Sequence, residues 1–185
     1  VVTRFTRPLR IAVIGAPNAG KSTLVNALVD RPTSIVSAAP GTTRDWVEAP
    51  SELDGFPVVW IDTAGLRAAS DPLEAAGVER TRQTLAAADL SVLALDGHAW
   101  RVIEGSGDLD WRRLNPACVA LTKCDLGPPD GRWRTSLPSA WLSRLVEVSA
   151  VAASGLDALA RQVLRRADDG RLDEVGPLTD GQFMA

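Results

Sequence analysis

The run Gly15-Ala-Pro-Asn-Ala-Gly20-Lys21-Ser22 sets two glycines, a lysine and a hydroxyl at a spacing that suits the binding of phosphate. Glycine lets the backbone turn and approach an anion closely. Successive amides from Asn18, Ala19, Gly20, Lys21, Ser22 and Thr23, at the positive end of a helix, attract that anion. Lys21 is expected to reach the outer phosphates and Ser22 to ligate Mg2+. A chance match to this spacing is expected on the order of once in a thousand sequences of this composition. Downstream, Asp62-Thr-Ala-Gly65 ends an apolar run, bringing a carboxylate to the metal and a flexible amide at Gly65 to the terminal phosphate. Between the two stands Gly41-Thr42-Thr43-Arg44-Asp45, whose hydroxyls are placed to close over Mg2+ and a γ-phosphate.

A second kind of chemistry sits at Thr122-Lys123-Cys124-Asp125. The Asp125 carboxylate can accept two hydrogen bonds from a guanine edge, a pattern adenine does not offer, while the Lys123 stem packs along the base plane. Ser149 and Ala150 are expected to add backbone amides toward the guanine oxygen. Of the 20 basic residues, all but Lys21 and Lys123 are arginine, and both lysines fall in these motifs. A compact ammonium and a planar guanidinium are not interchangeable, so this distribution favours function over chance and GTP over ATP. A P-loop ATPase or kinase is the competing reading.

These groups need a scaffold. The apolar runs at 11–14, 58–61, 90–95, 117–121 and 145–148 show little polar alternation, as in a parallel sheet covered on both faces. Helix-length segments at 21–29, 73–88 and 155–166 supply the cover. Residues 46–53 add a strand that pairs with 58–61 across the turn signal Asp54-Gly55. The expectation is a mostly parallel, three-layer α/β domain with one antiparallel edge strand, spanning 1–167, followed by a polar tail or linker at 168–185. At 185 residues and a formal charge of −3 the chain has ample core and no global field for nucleic acid or membrane. Direct nucleic-acid binding is therefore not expected. His98, Trp100, Trp111, Trp133 and Trp141 read as packing rather than base-stacking groups, because no basic cluster accompanies them. Arg161, Arg165 and Arg166 read as a solvated helix face. Cys118 and Cys124 have neither a disulfide nor a zinc pattern, and read as reduced thiols of a cytoplasmic protein.

With its motifs in this order from Arg10 to Val163, the chain resembles the translation-factor-related P-loop GTPases, specifically the Era, EngA and TrmE (MnmE) branch. It is most similar to the G domain of TrmE-type tRNA-modification GTPases, on Gly41 to Asp45 and on Asp62-Thr-Ala-Gly-Leu-Arg67, Asp71, Glu74, Gly77 and Glu79-Arg80. The resemblance implies a Ras-like G domain of the P-loop NTPase fold that binds GTP with Mg2+ and hydrolyses it. Leu66 stands where Ras-like enzymes carry a water-positioning glutamine, and an apolar side chain cannot orient the nucleophile. Pro17 stiffens the loop near the path of an inserted arginine, so a small monovalent cation suits the charge compensation.

By the resemblance, Asn18 ligates K+, the region of Ser37, Ala39 and Thr42 completes its shell, and Thr43 joins Ser22 and Asp62 at Mg2+. Glu74 then positions the attacking water from a distance, and G domains pair transiently as homodimers through their switch face. Arg67 is either a switch contact or surface charge. Thr122 replaces the usual Asn, which predicts a weaker tie between the base site and the phosphate loop. The family's folate-binding and helical domains have no counterpart in these residues, and the tail carries no cysteine, so tRNA modification is not expected from this segment itself. The functional alternative to a hydrolase is a GTP-binding assembly module with negligible turnover of its own.

Overall fold

A computed structural model describes residues 7–31, 47–62, 82–100 and 114–168. Six strands, β1 (Leu9–Ile14), β2 (Val47–Leu53), β3 (Phe56–Asp62), β4 (Leu90–Asp96), β5 (Cys118–Thr122) and β6 (Leu145–Glu147), form one sheet. Its order is β2-β3-β1-β4-β5-β6, and every pairing is parallel except β2 with β3. Helix α1 (Lys21–Val29) follows β1, and residues 82–87 form helix α2. Two short helices, α3 (Arg132–Ser136) and α4 (Ser139–Leu142), precede β6, and α5 (Leu156–Asp168) follows it.

The expected architecture is present. Alternate residues of the central strands bury on opposite faces, which is why their sequences lack polar positions. On one face, Ile11, Val13, Trp60, Val92 and Ala120 pack with Leu24 and Leu28 of α1 and Leu159 and Val163 of α5. On the other, Ile14, Ile61, Leu93, Leu95 and Val119 pack with Leu85, Trp133 and Trp141. The β2–β3 hairpin turns through Asp54 at φ 47° and Gly55 at φ 86°, the doubly positive pair of a type I′ two-residue turn. The helices α3 and α4 lie where the sequence showed only loop chemistry and two tryptophans.

This topology gathers the chemistry at one edge. β1 has β3 on one side and β4 on the other, so the crevice beyond its C-terminal end is a topological switch point. Register pairs Val13 with Asp62, and Asp96 with Thr122, so the ends of β1, β3, β4 and β5 open on the same side.

Candidate functional site

The loop from β1 to α1 is held in its turn by backbone geometry. Gly15 has φ +150° and lies so close to β4 that a Cβ there would meet the Ala94 carbonyl oxygen at 2.3 Å. Asn18 at φ 61° and Gly20 at φ 83° are both left-handed, and the Ala19 amide donates to the Ala16 carbonyl at 3.2 Å. Gly20 leads into α1 with no side-chain cap and no acidic residue in the first turn. Uncapped amides at a helix start, with a left-handed residue before them, form an anion nest. Lys21 lies within it, 6% exposed, its ammonium donating to the carbonyls of Gly15 at 2.9 Å and Ala16 at 2.7 Å. A buried, hydrogen-bonded cation beside a row of amides is suited to a polyphosphate.

Asp62 closes β3 beside this loop and is 4% exposed, and Ser22 is half-buried in the first turn of α1. A carboxylate and a hydroxyl are hard oxygen donors. With phosphate oxygens they fit Mg2+, which seldom uses an all-protein cage. Asn18 and Thr23 are exposed at the rim. Ser37, Ala39, Thr42, Thr43, Gly65, Arg67 and Glu74 lie outside the described residues.

The base-side loop starts where β5 ends. The Thr122 hydroxyl reaches the Ala19 carbonyl at 2.8 Å and the Leu95 carbonyl at 3.2 Å, joining β5, β4 and the phosphate loop at one buried point. The tie expected to be weaker without an asparagine is thus present through the threonine hydroxyl. Lys123 follows at φ 61° and starts the 3-10 turn Cys124–Leu126, which exposes Asp125. Its ammonium pairs with Asp96 Oδ2 at 2.7 Å, and the other oxygen of Asp96 accepts the His98 amide at 2.9 Å.

Ser149 enters the site differently from the expectation. Its amide donates to the Ser154 carbonyl at 3.0 Å, so it is committed inside the loop. Its hydroxyl donates to Asp125 Oδ1 at 2.6 Å and accepts the Ala152 amide at 3.0 Å. Ser149 therefore orients the carboxylate. Gly155, at φ +74°, turns the loop into α5; a Cβ there would lie 2.0 Å from the Glu147 carbonyl oxygen.

The Asp96 pairing and the Ser149 hydroxyl contact were not foreseen. Register alone could have suggested the first, since Asp96 and Thr122 end neighbouring strands. Trp133 and Trp141 are buried, and the Trp141 indole donates to the Leu114 carbonyl at 3.1 Å. They are core residues, as expected. Trp100 is partly buried against that core, and Trp111 lies outside the described residues. Arg161 and Arg165 are exposed on α5, and Arg166 is partly buried. Both cysteines are free; burial pushes the Cys118 thiol up to about 12 and also raises that of Cys124.

The family described as "50S ribosome-binding GTPase" matches residues 10–123, which span both the phosphate loop and the start of the base loop. The chain belongs to this GTPase family. It is a P-loop GTP hydrolase domain, and its sequence is similar to one part of the tRNA modification GTPase MnmE. Identity is 45% over 167 residues with MnmE of Rhodospirillum rubrum, covering 89% of this chain and 34% of that protein. With MnmE of Thermus thermophilus it is 40% over 177 residues, covering 95% and 37%. This GTPase thus spans about a third of the length of these relatives. Aquifex aeolicus Era bound to GDP and AlF4− superposes with a TM-score of 0.57 at 25% identity, covering 85% of this chain and 56% of that one. The G domain of the Thermotoga maritima FeoB iron transporter superposes at 0.54 with 22% identity, covering 87% and 99%, a likeness of fold. Among the described residues no helix of this GTPase is long and apolar enough to cross a membrane.

Proposed function

We propose that this domain binds GTP with Mg2+ and turns it over with K+ assistance while two copies pair transiently through their switch face. One observation carries the nucleotide reading. The Thr122 hydroxyl joins the phosphate loop at Ala19 to the strand end that presents Asp125, so triphosphate and guanine sites form one rigid unit. In this reading the amides from Asn18 to Thr23 and the Lys21 ammonium bind phosphate. Asp125, steadied by Ser149, accepts from the guanine edge. Ser22 and Asp62, with Thr43, hold Mg2+, whose charge offsets that developing on the transferred phosphoryl group.

The K+ reading rests on the exposed Asn18 amide at the loop rim and on the apolar Leu66 where a water-orienting side chain would stand. Ser37, Ala39 and Thr42 complete that shell, and Glu74 positions the nucleophilic water. Turnover measured in KCl and in NaCl tests it: faster turnover in KCl is expected, and equal rates refute the K+ assignment. The alternative, an assembly module with negligible hydrolysis, is separated by single-turnover rates of wild type and Glu74→Ala. A hydrolase loses rate on that substitution, whereas a module shows no difference.

A further inference from the structure

Asp96 is a buried carboxylate on β4, outside every motif that contacts nucleotide in the reading above. Its two oxygens do separate things. One accepts the His98 amide at 2.9 Å and fixes the turn that leaves β4; the other accepts the Lys123 ammonium at 2.7 Å across 27 positions of sequence. The two loops also touch beside this pair, where a Cβ on Gly97 would lie 2.7 Å from Pro129 Cγ. Lys123 itself starts the base loop from a left-handed conformation that a lysine rarely adopts. Its side chain is 36% exposed, whereas that of Asp96 is 10% exposed, so the ammonium end is anchored to a rigid, buried partner.

We infer that Asp96 is a positioning residue for guanine recognition, acting by holding the Lys123 ammonium so that its methylene stem lies as a preset platform for the base. The proposal rests on the guanine reading above. A free lysine stem samples many rotamers and loses that freedom when a base packs on it. Anchoring both ends, at the left-handed backbone and at Asp96, removes the loss before nucleotide arrives. Asp96→Asn keeps the acceptor for the His98 amide but neutralises the anchor. Lys123→Met keeps an apolar stem without an ammonium.

The test measures the release rate of fluorescent GDP from the full 185-residue chain in Mg2+ buffer, for wild type, Asp96→Asn, Lys123→Met and the double variant. Each single substitution is expected to speed release about fivefold to tenfold, and the double to match Lys123→Met alone, because Asp96 acts only through the lysine. Asp96→Glu, which keeps the charge, should restore most of the slow release. A merely structural role would instead multiply the two effects, and that result, or an unchanged rate in Asp96→Asn, overturns the proposal. If Asp96→Asn does not fold, Asp96→Ser, which keeps an oxygen acceptor without the charge, replaces it in the same cycle: an effect lost in the Lys123→Met background supports the assignment, and an effect that persists there, or no effect at all, refutes it. Failure of the wild type to retain GDP refutes the guanine reading and this one with it. Retention with multiplicative variants refutes this one alone.

Discussion

Replacing Thr122 by valine removes one hydroxyl and leaves the volume nearly unchanged. That hydroxyl is buried and bonds the Ala19 carbonyl at 2.8 Å and the Leu95 carbonyl at 3.2 Å. A net hydrogen bond contributes about 1 kcal/mol, and an orphaned buried carbonyl costs about 1–3 kcal/mol more. Two features soften the loss, since the longer bond is weak and the phosphate loop can shift toward water. The expected destabilisation is about 2 kcal/mol. For a chain of this length that corresponds to a fall in Tm of about 4–8 °C, read by circular dichroism without nucleotide. Thr122→Ser keeps the hydroxyl and should stay much closer to wild type. Because the tie joins phosphate loop to base loop, release of GDP should also quicken by roughly tenfold in the valine variant. A valine variant that melts within about 1 °C of wild type, ~0.3 kcal/mol, and releases GDP at the wild-type rate would refute the bridging role.

Two further outcomes follow from the same geometry. Asp125→Asn should weaken GTP binding by about two orders of magnitude and let ATP compete in a displacement titration, since a charged acceptor for two donors is lost; retained guanine preference would contradict the assignment. Burial holds the Cys118 thiol protonated up to about 12, against 9.0 for an exposed one, so the folded state keeps a proton that the unfolded state loses above pH 9. The neutral thiol therefore costs nothing below pH 9, and stability falls as pH rises from 9 toward 12, by about 1.4 kcal/mol per unit. Urea denaturation at pH 8 and at about pH 10.5 should show wild type losing about 2 kcal/mol more than Cys118→Ala.

The phosphate loop was legible because its physics is local: one short run of chain supplies the strand, the left-handed turns and the uncapped helix start. The hairpin at Asp54-Gly55 was legible for the same reason. The placement of β1 between β3 and β4, by contrast, depends on which apolar strands pair across dozens of residues, and no local signal distinguishes them. Asp96 drew no notice in the sequence because its partner, Lys123, lies 27 positions away, and the Ser149 hydroxyl none because its partner, Asp125, lies 24 positions away. Helices α3 and α4 escaped because helices of five and four residues carry too few turns for periodicity, and Pro128, Pro129 and Pro138 around them mimic loop composition.

The chain's side-chain primary amines are confined to Lys21 and Lys123, one shielded in the phosphate loop and the other drawn toward Asp96. Acylating labels, amine-coupled sensor chips and bifunctional cross-linkers therefore have no innocuous lysine to consume. Of the two, Lys123 is the more exposed, so loss of nucleotide affinity would track its labelling, and thiol chemistry is no safer a route, because Cys118 is buried and Cys124 sits beside Asp125 in the base loop.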